Sequence, residues 1–259
     1  MNHSRWNLLV GIVLVAQVCA GQELIVAAAA DLQSAMQAIV GQFQRNTGNT
    51  VKVIYGSSGN FAQQLQNGAP FDMFFSADAD YPKELEIAGL TEPGTLYQYA
   101  KGKIVIWIRN DSRVDLGAGM QALLDPSIKK IAIANPQHAP YGRATIAAMK
   151  KEHVYERIKE KVVLGENISQ TASFVLSGSA DIAIVALSLA LSPSMKDKGR
   201  YWEIPSVDYP AIEQACIILN SSKNKETARE FLSFLKTAAV ADILKANGFV
   251  VPSTSNKKP

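Results

Sequence analysis

Val51-Lys52-Val53-Ile54-Tyr55-Gly56-Ser57-Ser58-Gly59-Asn60-Phe61-Ala62-Gln63-Gln64-Leu65 passes from a strand-like run into a helix-like one through two glycines and two serines. β-Branched and aromatic residues dominate the first part, and Phe61, Ala62 and Leu65 bring an apolar face back at helical spacing. Hydroxyls and glycines at such a junction collect side-chain donors beside the unpaired N–H groups of a helix N-terminus. That is the construction of an anion site. The same residues also serve an ordinary N-cap and turn. One junction alone leaves both readings open.

Working outward, the pattern repeats. Glu23 to Ala30 is an apolar run that reads as a buried strand, and Asp31 is placed to cap a helix with Leu32, Met36, Ile39 and Phe43 on its apolar face. Further strands are expected at Phe71–Ser76, Lys103–Ile108, Lys130–Ala134, Val162–Leu164, Asp181–Ala186, Tyr201–Ile204 and Ala215–Leu219. Helices are expected at Pro82–Ala88, Arg143–Lys151, from Ser169 through Ser177, and as one continuous rod from Asn224 to Lys245. Strands alternating with helices imply parallel sheets covered on both faces. Two such sheets in tandem leave a cleft at the carboxyl ends of their strands. The expected fold is α/β with two lobes, each a mainly parallel sheet flanked by helices, and a ligand cleft between them. Lobe I is assigned to residues 21–99 and 208–259 and lobe II to 100–207, with chain crossings near Tyr99 and Val207.

Composition narrows the class. The chain has 259 residues, is 47% hydrophobic and carries a net charge of +3, with no basic cluster beyond Lys257-Lys258. Nothing there is the footprint of a nucleic-acid binder. Residues 1–20 carry Arg5, an apolar run from Leu8 to Ala16 and the small-residue sequence Val18-Cys19-Ala20. That is the form of a cleaved secretory signal, its apolar run being shorter than the ~20 residues that span a bilayer. A lipid anchor at Cys19 is disfavoured by Gln17 and Val18 before it. Its removal takes Arg5 and leaves a net charge of +2. The remaining cysteine, Cys216, lies in an apolar run and reads as a buried, inert thiol.

Four strand-to-helix junctions share one character: Ala28-Ala29-Ala30-Asp31, Gly56-Ser57-Ser58-Gly59, Ala139-Pro140-Tyr141-Gly142 and Asn167-Ile168-Ser169. Two fall in each expected lobe, so an anion in the cleft is gripped from both sides. Neutral donors suit a reversible carrier, since each helix terminus contributes roughly 0.3–1 kcal/mol.

With these junctions go Val26-Ala27-Ala28-Ala29-Ala30-Asp31-Leu32, Asn67-Gly68-Ala69-Pro70-Phe71-Asp72-Met73-Phe74-Phe75-Ser76-Ala77-Asp78, Asn135-Pro136-Gln137-His138-Ala139-Pro140-Tyr141-Gly142 and Gly178-Ser179-Ala180-Asp181. On these motifs, from about Glu23 to Val251, the chain resembles the periplasmic molybdate-binding proteins of ABC importers. The resemblance implies a two-lobe protein that closes on molybdate or tungstate, needs no cofactor, and docks as a monomer on a membrane permease. It implies oxyanion contacts at Ala30 (backbone), Ser58 (hydroxyl and backbone), Tyr141 (backbone) and Ile168 (backbone), with Asp31, Ser57 and Ala186 as further candidates. Molybdenum would be held only as the oxyanion, without protein ligands. Many members have Ser at Ala30, and some donate a tyrosine hydroxyl where Ala186 stands, so two side-chain donors are absent here.

Other classes are weighed against this. Asp31 as an acceptor would suit a proton-bearing anion such as phosphate, and cavity size decides against or for sulfate. A serine hydrolase would need His138 as base with an orienting acid, which nothing in the sequence places, and Gly56-Ser57-Ser58-Gly59 is not a nucleophile elbow. Arg143 reads as a solvated helix residue, and Asp72, Asp78 and Asp80 as turn and cap residues rather than a metal cluster.

Overall fold

A computed structural model describes residues 23–252. The expected signal at 1–20, Cys19 within it, and the tail 253–259 lie outside the described residues. No helix among the described residues is long and apolar enough to cross a membrane.

The strands are β1 (Glu23–Ala29), β2 (Thr50–Gly56), β3 (Met73–Ser76), β4 (Tyr97–Gly102), β5 (Ile104–Arg109), β6 (Ile131–Ala134), β7 (Val162–Gly165), β8 (Ile182–Ala186), β9 (Gly199–Glu203) and β10 (Ile212–Ile218). The helices are α1 (Gln33–Thr47), α2 (Ser58–Gln66), α3 (Asp80–Ile87), α4 (Pro140–Lys151), α5 (Tyr155–Ile158), α6 (Ile168–Leu176), α7 (Leu187–Ala190), α8 (Lys225–Leu235) and α9 (Ala238–Ala246). They build two five-stranded sheets, ordered β2-β1-β3-β10-β4 and β7-β6-β8-β5-β9.

β1 shows why the strands read as apolar runs. Leu24, Val26 and Ala28 pack with α1, α8 and α9 on one face, whereas Ala27 packs with Phe61 and Leu65 of α2 and Leu85 of α3 on the other. A strand covered on both faces has no polar side to alternate with. The second sheet is built alike, with β5, β6 and β8 buried among residues of α4 and α6. Cys216 is fully buried, and burial pushes its thiol well up from the usual range.

Each sheet is mixed: four of its five strands run one way, β2, β1, β3 and β4 in one and β7, β6, β8 and β9 in the other, and a single strand, β10 or β5, runs against its two neighbours. The antiparallel pairs lie where the chain changes sheets, β4 leaving the first sheet beside β10, which returns to it, and β5 entering the second beside β9, which leaves it. β4 runs into β5 with only Lys103 between them, and β9 passes to β10 through residues 204–211. β4 itself escaped the sequence reading, since Tyr-Gln-Tyr-Ala-Lys-Gly has no clear apolar run.

Two helix expectations fail. The C-terminal rod is broken, with Thr237 extended (ψ 154°) between α8 and α9 and its hydroxyl donating to the Phe234 carbonyl. Ala239 accordingly faces solvent, and Val240 and Leu244 make the buried side of α9. Asp31 caps nothing. It sits inside a 3-10 turn, Ala30–Leu32, ahead of α1, and its side chain points elsewhere.

Asp72 ties the first sheet at the end remote from the cleft. Its carboxylate accepts from the Ile25 N–H at 2.7 Å, the Ser222 hydroxyl at 2.7 Å and the Asn224 amide at 3.2 Å. Removing it strands a part-buried N–H and a buried hydroxyl. We therefore expect Asp72→Ala to lower unfolding stability by about 2–3 kcal/mol, read as a reduced urea midpoint at unchanged m-value. A change within experimental error would show that the three bonds are replaceable by water.

Candidate anion-binding site

The four junctions meet. Ala29, Ala30 and Asp31, then Gly56, Ser57 and Ser58, then Ala139, Pro140 and Tyr141, then Asn167 and Ile168 line one small cavity, completed by Ala77. These residues follow β1, β2, β6 and β7, so two come from each sheet. No lysine, arginine or histidine lines it. The first N–H groups of α2, α4 and α6 have no carbonyl partners in their own helices. At α6 the Asn167 side chain takes the N–H groups of Ser169 and Gln170, both at 3.0 Å, and leaves that of Ile168. Pro140 opens α4, so the first N–H it offers belongs to Tyr141.

Ser58 is 1% exposed, and its Oγ accepts the Ala77 N–H at 2.9 Å. That bond fixes the oxygen and leaves the hydroxyl proton to donate. Ser57 does different work. It caps α2 through the Asn60 N–H, and its Oγ lies 2.9 Å from His138 Nδ1 across the cleft. Ala30 and Ile168 are buried in the wall, whereas Ala186 ends β8 and is not among the residues that line the cavity.

Behind the cavity lies a buried polar network. Asp31 Oδ2 accepts from the Tyr141 hydroxyl at 2.8 Å and the Gln214 amide at 2.6 Å. The Gln214 carbonyl in turn accepts from the Tyr99 hydroxyl at 2.9 Å. Asp31 Oδ1 is buried with no hydrogen-bond partner. Burial pushes the Asp31 carboxyl up to about 6, against the lowering by Gln214, Tyr141 and its own backbone N–H, and it raises the Tyr141 and Tyr99 phenols well above their usual range. A folded-state value above the unfolded one means that stability present below pH ~3.8 is lost as pH rises through ~6, by about 3 kcal/mol.

The rim is closed by bonds between elements of the two sheets. The Gly59 N–H donates to the His138 carbonyl at 2.9 Å, and a Cβ on Gly59 would stand 2.7 Å from that oxygen. Asn60 donates to Glu166 at 2.5 Å, and Arg143 donates to Asp78 at 2.5 Å and to Tyr81 at 3.1 Å. Arg143 is thus half-buried and paired, not a solvated residue, and it holds the rim rather than the cavity. A larger open hollow of ≈ 300 Å³ beside it is lined by Asp78, Asp80 and Glu213 as well as Arg143. Three carboxylates there suit an anion poorly.

One expectation about side chains needs correction. An acid does stand near His138, with Glu166 Oε2 3.7 Å from Nε2. The serine in this row is Ser57, buried and engaged as a helix cap, which is a fastening and not an exposed nucleophile. Gln214 and Tyr99 were missed. Gln214 stands beside Glu213 and just before the apolar run expected at Ala215–Leu219, so nothing local in the sequence marks it as buried. Asp72 lies apart from Asp78 and Asp80, whose carboxylates serve a turn and an ion pair, and among the described residues no group of three or more acids, histidines or cysteines could hold a metal.

Residues 24–250 match the family model for bacterial extracellular solute-binding proteins. The chain is 37% identical to the molybdate-binding protein ModA of Rhodobacter capsulatus, over 94% of this chain and 93% of that one. It is 35% identical to ModA of Azotobacter vinelandii, over 95% and 97%. The solved periplasmic molybdate-binding protein of Azotobacter vinelandii superposes with a TM-score of 0.83 at 34% identity, covering 88% of this chain and 99% of that one. A sulfate-binding protein of Mycobacterium tuberculosis shares the fold at 17% identity and a TM-score of 0.71. With its donor-lined cleft between two α/β sheets, this chain belongs to the bacterial extracellular solute-binding proteins.

Proposed function

We propose that the protein is a binding component, not an enzyme, that captures molybdate, and tungstate with it, and delivers the anion to the membrane permease of an ABC importer. The observation that carries this is the convergence of four junctions, with their neutral donors, on one cavity without a cationic side chain. The two ModA relatives, alike over nearly their whole length, support the choice of anion. The place of action is the periplasm, reached by cleavage of the 1–20 signal, and the working form is a monomer.

The anion contacts are the N–H groups of Ala30, Ser58, Tyr141 and Ile168 and the hydroxyl of Ser58. Helix termini act without burying a flexible cation, so the anion gains several oriented N–H groups and remains releasable. Residues 23–102 with 212–252, which carry the first sheet, move as one lobe and 104–203, which carry the second, as the other. The turning points are Lys103 and the 204–211 segment, where the chain changes sheets. Two crossings permit closure with small backbone changes. Ser57 with His138 and Asn60 with Glu166 act as fastenings that form as the lobes meet.

A calorimetric panel of molybdate, tungstate, sulfate and phosphate tests the reading. Molybdate and tungstate are expected to bind tightly and alike; tight binding of sulfate or phosphate alone would overturn the choice of anion. Ser58→Ala is expected to weaken molybdate binding more than tenfold, since a hydrogen bond to a charged group is worth ~1.5–3 kcal/mol. An unchanged dissociation constant would remove that hydroxyl from the contacts. His138→Ala is expected to speed anion release several-fold in stopped-flow chase experiments with little change in the association rate.

A further inference from the structure

Asp31 is the one ionisable side chain in the lining that the proposed anion contacts leave unused, apart from the Tyr141 phenol bonded to it. One of its oxygens, Oδ2, is fully engaged by Tyr141 and Gln214. The other, Oδ1, is buried and has no partner. A carboxylate oxygen can only accept, and so can every oxygen of a deprotonated dianion. The groups around Asp31 offer no counter-charge. α4 presents the Tyr141 phenol, β10 the neutral Gln214 amide and, further along, the Cys216 thiol, and β4 the Tyr99 phenol. α6 and α7 present hydroxyls alone, Ser169 on the Ala30 carbonyl and Ser188 on the Asp31 carbonyl. No cation contributes to its titration. Burial of the carboxyl favours its neutral form, in accord with this geometry.

We propose that Asp31 makes anion capture proton-coupled: the dianion binds together with one proton from solvent, which resides on Oδ1 and donates a hydrogen bond to an anion oxygen. The inference rests on the oxyanion reading above and deepens it. The balance is simple. Free protein with ionised Asp31, one dianion and one proton give a complex in which the carboxyl is neutral, and release returns the proton. The unpaired oxygen then acquires a partner. The site is thereby tuned to compact dianions that accept at every oxygen, and it is strongest on the acid side of neutrality.

The test is titration calorimetry of sodium molybdate into the purified protein at pH 8, in two buffers of different ionisation enthalpy. We expect an uptake approaching one proton per molybdate. We also expect the dissociation constant to rise about tenfold per pH unit between pH 7 and 8.5, as linkage to one proton requires. Asp31→Asn keeps an acceptor for Tyr141 and Gln214 and supplies a permanent donor. It should bind with no proton uptake and no slope, and at pH 8.5 at least tenfold more tightly than the native protein. Binding by the native protein without proton uptake and with a flat pH profile overturns the proton coupling while leaving the anion reading intact. No molybdate binding at any pH overturns both. Should the Asn variant fail to fold, the native titration alone decides.

Discussion

A parallel strand that runs straight into a helix leaves the first N–H groups of that helix without carbonyl partners. Everything in the cleft follows from having four such ends in one place. β1, β2, β6 and β7 all deliver their chains to the same point, and small residues follow them: Ala29-Ala30, Gly56-Ser57-Ser58, Ala139-Pro140, Asn167-Ile168. Larger side chains would fill the space and separate the donors. The unmet donors are a cost in the free protein and the means of binding when an anion arrives.

The two sheets are versions of one plan, a parallel trio extended beside its third member by one antiparallel strand and then by an edge strand that runs with the trio again. The added strands are the ones that lead between sheets. Antiparallel pairing at the crossings is therefore the geometric counterpart of having two sheets in one chain. It also lets Gln214, held from behind by the Tyr99 hydroxyl on the neighbouring strand, reach the carboxylate that Tyr141 approaches from the second sheet.

Much of this was legible in the sequence. The β1, β2, β6 and β8 runs, the four junctions and the helix faces of α1 and α8 announce themselves by apolar periodicity and by small or hydroxylated residues at the ends. What stayed hidden depends on partners distant in sequence. β4 lacks an apolar run because its stability comes from pairing with β10. The α8–α9 break turns on one threonine hydroxyl finding a carbonyl. Asp31 resembles a cap, and only the approach of Tyr141 and Gln214, 110 and 183 residues away, shows that it faces the other way. Likewise Glu166 near His138 is a meeting of two loops that no spacing foretells.

Gly102 ends β4, one residue before the chain enters the second sheet, and a Cβ there would overlap the Tyr141 hydroxyl. The absent methyl is thus a socket, and Tyr141, which opens the helix at the cavity, is the peg that fills it. Rotation of one sheet away from the other, as proposed above, would draw the peg from its socket beside the proposed pivot. Closure would then be registered in the packing at the axle as well as at the mouth of the cleft. Any side chain larger than hydrogen at position 102 would act as a wedge driven in at the pivot, where a small obstruction is levered into a wide gap at the rim.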